Sequence, residues 1–409
     1  MAQAATIAAE RKWSRVESVP KGMTGDHTAA EAMRQINPDV LAAYPITPQT
    51  EIVERFAEFV ADGEVTTEFV AVESEHSALS ACCGAAASGA RAMTCTSSQG
   101  LALMHEITYI AAGQRLPIVM VLVNRALSAP INIHCDHSDG MGSRDCGWIQ
   151  LYCHDAQEVY DTTIQAVRIA EHPDVMLPVL VTLDGFVTSH DMERVETLPD
   201  EAVKAFVGEY NAPYNLLDSK HPVTAGIMAP PTVYFEHKIA QERALRRAER
   251  VIEEIAREYE QLSGRYVGPV ETYGLDDAEV VVVGLSTGAD TARVAAERVR
   301  ARGIKAGVVR IHQFRPLPVS AITSLLAGRK VVAVLDRAQS LGAAGAPLFS
   351  DIRTAMYDQA NRPAIVSYVY GLGGRDLTVD QVSAVFEHLA APSFDASDQA
   401  TQTYIGARE

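Results

Sequence analysis

Tyr44-Pro-Ile-Thr-Pro-Gln-Thr50, Glu73-Ser-Glu-His-Ser-Ala78 and Thr96-Ser-Ser-Gln-Gly100 share one arrangement. In each, an apolar strand-like run gives way to small hydroxyls, a carboxylate or a glycine, and then to a helical pattern. Ligands of open α/β sheets bind at the carboxyl ends of the strands. Three such turns in close succession point to one organised site, and they decide the reading of the chain.

Outward from these turns, Thr28 to Ile36 reads as a short helix and Val40 to Tyr44 as a buried strand stopping at Pro45. Thr50 to Val60 is amphipathic, with Ile52, Val53, Phe56 and Val60 on one face. Phe69–Val72, Ala92–Cys95, Pro117–Val123 and Val175–Thr182 read as strands, with Ser77–Gly89 and Leu101–Ala112 as helices among them. Strands alternating with helices imply a parallel sheet covered on both faces. From 190 to 235 periodicity fades and prolines accumulate, and Phe235 to Leu262 is one long charged helix of the kind that bridges domains. A second α/β unit starts at Ala278, with strands Glu279–Gly284, Ala306–Arg310, Lys330–Leu335 and Ala364–Val369 and a helix Asp290–Arg302. The expected fold is α/β, two open parallel-sheet domains joined by a long helix. Its parts are a loosely held arm (1–22, ending at Pro20 and Gly22), a first domain (23–235), a linker helix (236–272), a second domain (273–395) and a tail (396–409).

Bulk properties narrow the function. The 409 residues exceed one ordinary core. No apolar run approaches the ~18 residues of a membrane span, and the first residues lack the apolar core of a signal peptide, so a cytoplasmic location is expected. A net charge of −17 argues against nucleic acid, which needs clustered Lys and Arg, and against direct docking of an acidic electron carrier. Of six cysteines, none forms a C-x-x-C pair or a cluster-binding run, and Cys82, Cys83 and Cys95 read as small buried apolar groups.

The candidate chemistry lies in the turns. Glu73 and Glu75 sit between a strand and a small-residue helix. A carboxylate in such a cleft can exchange a proton with a ring nitrogen, or it can be a helix-start pair favoured by the macrodipole. Thr47, between Ile46 and Pro48, can present its hydroxyl to a ligand or cap the next helix. Gly100 permits close approach of backbone to a ligand, or simply makes a turn. Arg125, after the strand ending at Val123, can grip a carboxylate with paired hydrogen bonds, or form an inter-subunit salt bridge. His134-Cys-Asp-His137, with Asp139 and Cys146, superficially resembles a metal site and suggests a metal-dependent hydrolase built on His134, Asp136 and His137. Zinc ligands usually come as spaced pairs, which favours a polar loop and no metal in this chain. Gly284-Leu-Ser-Thr-Gly288 lacks the spacing of a dinucleotide fingerprint.

Taken together these segments resemble the α subunit of the 2-oxoacid:ferredoxin oxidoreductases, in particular the pyruvate-specific multi-subunit members. The resemblance runs from about Gly25 to about Gly374. It is extended by Asn124-Arg-Ala126, Arg144-Asp-Cys-Gly-Trp148, Asp184-Gly-Phe186, Ser189-His190 and Phe314-Arg-Pro316. It implies a thiamine-diphosphate pyrimidine-binding domain followed by a transketolase C-terminal-like domain. It further implies oxidative decarboxylation of pyruvate to acetyl-coenzyme A and CO₂, reversibly, with electrons leaving through iron–sulfur clusters to ferredoxin. Glu75 falls on the glutamate that contacts the aminopyrimidine, and Thr47 and Arg125 on residues that hold the substrate. Pro45, Ile46, Ser98, Gln99 and Gly100 complete the implied cofactor cleft. A β subunit is implied to hold the diphosphate, Mg²⁺ and a [4Fe-4S] cluster, with ferredoxin-like γ and δ subunits beyond it. The chain's own residues agree with this division, since it has no Gly-Asp-Gly segment for Mg²⁺ and no cluster cysteines. The loop departs from the family pattern at His134, Cys135 and Cys146. That leaves 2-oxobutyrate, oxalate or 2-oxoglutarate open as alternative substrates, and a non-catalytic scaffold subunit as an alternative role.

Overall fold

Val119–Asn124 carries alternate residues into two different cores: Val119, Val121 and Val123 into one, Met120 and Leu122 into the other. Such a strand has no solvent face and must be interior to a sheet covered on both sides. The computed structural model describes residues 13–398 and 402–408. Its strands are β1 (Val19–Thr24), β2 (Val40–Ala43), β3 (Glu68–Ala71), β4 (Ala92–Thr96), β5 (Val119–Asn124), β6 (Ile149–Tyr152), β7 (Val179–Asp184), β8 (Met192–Thr197), β9 (Val270–Tyr273), β10 (Val280–Gly284), β11 (Ala306–Ile311), β12 (Gln313–Arg315), β13 (Val331–Asp336), β14 (Ala364–Val369) and β15 (Thr403–Tyr404).

The first sheet runs β12-β6-β7-β5-β4-β2-β3. All its pairs are parallel except the edge pair β12–β6. The second runs β15-β14-β13-β10-β11-β9, parallel except for β9 against β11. The expected parallel sheets are therefore each mixed at one edge. In the second sheet Val281 and Val283 face one core, and Val280 and Val282 the other.

Four segments differ from the sequence expectation. Of the expected arm, residues 1–12 lie outside the described residues, and Val19–Thr24 is not loose but pairs antiparallel with β8. β8 escapes a hydropathy reading because this exposed ribbon buries only Val195 and Thr197. The helix Asp200–Val207 also lies in the stretch where periodicity fades. The strand expected from Val175 begins at Val179, after Met176 turns through φ 45° and Pro178 withholds an N–H. The stretch Leu101–Ala112 is two helices, Gln99–Leu103 and His105–Gly113, meeting at Met104.

The long helix spans Pro231–Ser263, opened by proline in its first turn and closed by Gly264 in the left-handed conformation. Its stripe Ala244, Ala248, Val251, Ile252, Ile255, Tyr259 and Leu262 joins the core of the first sheet. The outer face carries the pairs Arg246–Glu242, Arg250–Glu254 and Arg257–Glu253 one turn apart.

Candidate active site

The carboxyl ends of β2, β3, β4, β5 and β7 supply the site. After β4, Ser98 is fully buried at φ 49°, a conformation unfavourable for a residue with a side chain. It persists because its amide donates to Asp139 Oδ2 at 3.0 Å and its hydroxyl to the Ala126 carbonyl at 2.6 Å. The same Asp139 carboxylate accepts from the Arg125 amide at 2.9 Å, Asn124 Nδ2 at 2.9 Å and the Gly140 amide at 2.7 Å. Burial is the dominant influence on this acid and raises it to about 6 despite the four donors. Asp139 thus ties the turn after β4 to the turn after β5. Sequence reasoning placed it only in the polar loop; its Asp-Gly opening of the short helix Ser138–Gly142 was the available signal.

Arg125 is only 6% exposed, and no carboxylate lies within ion-pairing distance among the described residues. Its guanidinium donates to two backbone carbonyls, Nη1 to Thr47 at 2.8 Å and Nε to Asn132 at 3.1 Å. Burial lowers its basicity, with Asp139 partly offsetting the effect. Thr47 therefore meets Arg125 through its carbonyl, and the residue is exposed. Thr47 does not cap the following helix; that position belongs to Gln49. Gln49 is buried, accepts from the Ile46 amide at 3.1 Å and donates to the Cys95 carbonyl at 3.1 Å, which anchors the turn. Sequence reasoning did not single it out. Pro45 is exposed and Ile46 half-buried on this turn.

Glu75 opens the helix Glu75–Ala87 behind the cap Ser74 and is 7% exposed. Among the described residues its carboxylate has no hydrogen-bond partner, whereas the exposed Glu73 accepts from the Ser77 hydroxyl. Gly100 lies against it: a Cβ there meets Thr96 Oγ1 at 2.3 Å and Glu75 Oε1 at 2.9 Å. Thr96 Oγ1 and Ser97 Oγ beside it are buried without partners. A cradle with a free carboxylate, unpaired hydroxyls and a glycine that keeps it open suits a polar ring bearing donors and acceptors. Gln99 is half-buried next to Ser98.

His134, Asp136 and His137 do not converge. His134 is exposed and packs on Phe186, with ring centres 5.2 Å apart. Asp136 accepts from Ser138 and from the Gly373 amide. His137 is buried 2.7 Å from Asp184, which also meets Arg337 at 2.8 Å and the Thr287 hydroxyl. Gly284–Gly288 is likewise a docking turn: Ser286 Oγ donates to the Cys153 carbonyl at 2.7 Å, and Gly288 faces Tyr370. The cysteines pack as small apolar groups. Burial pushes the thiols of Cys82, Cys83 and Cys95 up to about 12.

The fold is that of a two-sheet α/β protein with a polar cleft at the carboxyl edge of its first sheet, the class in which thiamine diphosphate-binding oxidoreductase domains fall. Residues 31–257 match the family described as pyruvate flavodoxin/ferredoxin oxidoreductase, thiamine diphosphate-binding, and residues 278–382 match pyruvate:ferredoxin oxidoreductase core domain II. The chain belongs to the pyruvate flavodoxin/ferredoxin oxidoreductase family. It is 56% identical over 387 residues to pyruvate synthase subunit PorA of Thermotoga maritima, covering 95% of this chain and 98% of that one. It is 42% identical to the ketoisovalerate oxidoreductase subunit VorA of Pyrococcus abyssi, covering 91% of this chain and 93% of that one. The solved 2-oxoglutarate:ferredoxin oxidoreductase from Magnetococcus marinus, with 2-oxoglutarate, coenzyme A and succinyl-CoA bound, superposes with a TM-score of 0.71 at 19% identity. That match covers 92% of this chain and 66% of the other, and it shows the shared fold. No helix among the described residues is long and apolar enough to cross a membrane.

Proposed function

We propose that this chain is the α subunit of a pyruvate synthase, contributing the pyrimidine-binding half of a thiamine diphosphate site and the residues that hold pyruvate. The observation that carries the reading is Arg125, a largely buried residue whose guanidinium has no carboxylate within ion-pairing distance among the described residues, on the same sheet edge as a carboxylate, Glu75, that is equally unengaged. A buried cation left unpaired inside the chain is costly and is matched by an anionic ligand. Arg125 has N–H donors to spare for a 2-oxoacid carboxylate, and the exposed Thr47, whose carbonyl touches the guanidinium, is the residue for the keto oxygen.

Glu75 holds or moves a proton at the aminopyrimidine ring, Gly100 lets that ring approach the backbone, and Ser98, Gln99 and the Pro45–Thr47 turn line the cleft. When bound, thiamine diphosphate supplies the electron sink for decarboxylation. In this reading a β subunit carries the diphosphate, Mg²⁺ and a [4Fe-4S] cluster, and γ and δ subunits pass single electrons to ferredoxin. Coenzyme A takes the acyl group, in the cytoplasm.

Support for pyruvate comes from the level and span of identity to pyruvate synthase subunits. The ketoisovalerate relative and the His134 loop favour a second reading, the same chemistry on another 2-oxoacid. Reconstitution with the partner chains tests both: pyruvate- and coenzyme A-dependent reduction of a viologen dye is expected. Glu75→Ala should abolish turnover while leaving assembly intact. Turnover of another 2-oxoacid far above pyruvate rejects the first reading, and full activity of Glu75→Ala rejects the catalytic role.

A further inference from the structure

We propose that Phe186 is the wall that limits the size of the 2-oxoacid side chain; this rests on the function proposed above. Asn124 and Asp184 are paired across β5 and β7, so Arg125 and Gly185 leave the sheet side by side. The Gly185 amide donates to the Asn124 carbonyl at 3.2 Å. A Cβ on Gly185 falls 2.5 Å from that carbonyl and 3.0 Å from Pro48 Cγ, so glycine lets this turn close onto the Thr47–Pro48 turn. Phe186 follows immediately, at the end of β7 and beside the strand that leads into Arg125. Gly100, which lies against Glu75, follows β4 on the other side of β5.

The backbone of Phe186 is at φ 63°, which a bulky residue rarely adopts. It is held there by three hydrogen bonds: its own amide to Ser189 Oγ at 2.8 Å, and the Thr188 and Ser189 amides to the Asp184 carbonyl at 2.9 and 3.1 Å. The half-buried ring stands between two imidazoles, 5.2 Å from His134 and 4.7 Å from His190. His134 belongs to the Arg125 environment, since its carbonyl accepts from Ala126 at 3.0 Å, two residues from the carbonyl of Asn132 that receives Arg125 Nε. Strain sustained by so many contacts serves to aim a side chain. With the substrate carboxylate on Arg125 and the cofactor ring toward Glu75, the alkyl group is directed to the remaining side, where this aromatic surface stands. A methyl group fits against a fixed wall that a branched group strikes.

The test measures kcat/KM of the reconstituted complex for pyruvate, 2-oxobutyrate and 2-oxoisovalerate with Phe186→Ala and Phe186→Leu. The ratio of 2-oxoisovalerate to pyruvate should rise at least about tenfold in Phe186→Ala, the scale of a misfitted methyl group or two. The 2-oxobutyrate ratio should rise less, in the same sense, in Phe186→Leu. Calorimetric affinities of the same acids for the complex stripped of thiamine diphosphate should move likewise. Should Phe186→Ala not assemble, Phe186→Leu decides. Unchanged ratios in an assembled variant overturn the proposal while leaving the function intact. A wild-type complex inactive on every 2-oxoacid instead removes the function on which it rests.

Discussion

Replacing Arg125 by methionine keeps an apolar stem of similar length and removes every guanidinium donor. Of the ~five N–H groups, two are committed within the chain, to Thr47 and Asn132, leaving about three for a ligand. A forked grip on a carboxylate consists of two charge-assisted bonds of about 1.5–3 kcal/mol each. Their loss costs about 3–6 kcal/mol, or roughly a hundredfold to ten-thousandfold in kcat/KM at about 1.4 kcal/mol per decade. Arg125→Lys retains the charge as a single point donor without the fork, so its loss should be roughly ten- to a hundredfold. The assay is pyruvate-dependent dye reduction by the reconstituted complex, with and without added guanidinium ion. Partial rescue of Arg125→Met by guanidinium separates the lost grip from the released Thr47 and Asn132 carbonyls. A kcat/KM for Arg125→Met within about threefold of wild type refutes the reasoning, because no pair of charge-assisted bonds is worth so little.

Gly100→Ala forces a methyl group against the buried Thr96 Oγ1 and 2.9 Å from Glu75 Oε1, so thiamine diphosphate affinity of the complex should collapse and its melting temperature should fall. An unchanged calorimetric affinity contradicts the assigned cleft. Asp139→Asn turns an NH₂ toward two of the four N–H donors that Asp139 now satisfies, at about 1–3 kcal/mol for each group left unpaired. A lowered denaturation midpoint together with reduced kcat/KM is expected; a stable, active variant shows that Asp139 does not order Ser98 and Arg125. His154 gives a pH signature. Burial opposes its charge, but Asp290 at 2.6 Å and the field of Glu158 outweigh burial and hold it at about 9, against 6.5 ordinarily. A raised cation stabilises fully below pH 6.5 and loses that contribution as pH rises through 9. Melting temperature should therefore fall across that window by the equivalent of about 3 kcal/mol, and Asp290→Asn should flatten the slope.

What the sequence revealed follows from where each element gets its stability. β5, β10 and β13 are apolar on both faces, and such runs announce themselves. β8 and β12 do not, because each is held by partners distant in the chain: Val19–Thr24 for one, the edge of the first sheet for the other. The site divides in the same way. Glu75, Gly100 and Arg125 stand at strand ends, so their type and position were legible. That Thr47 meets Arg125 through a carbonyl, or that Asp139 ties Ser98 to Arg125, depends on a crossing of loops that no periodicity encodes. Phe186 was visible within Asp184-Gly-Phe186, but its backbone strain and its two imidazole neighbours were not.

The second unit completes the first. β12, contributed by residues 313–315, completes the edge of the first sheet against β6. Met141, Tyr152 and Phe314 share one core with Val281 and Leu348. Beneath the turn that carries Phe186, the fully buried Asp184 is held well below the usual carboxylate range. Burial alone raises such an acid, but His137 and Arg337 reverse the sign. The Arg337 carbonyl also accepts from the His137 amide at 2.8 Å, so one residue of the second unit fixes both the end of β7 and the loop from Asn132 to His137. That loop supplies the Asn132 carbonyl to Arg125, and Asn132 Nδ2 in turn donates to Gly373 at 2.9 Å. The loop that meets Arg125 and the turn that carries Phe186 are thus both held by a buried ionic brace that spans the two units. A charge network this deep carries a large desolvation cost and is weak evidence for stability. What it does is tie the end of β7 and the loop from Asn132 to His137 to the second unit, so that the two units share one placement.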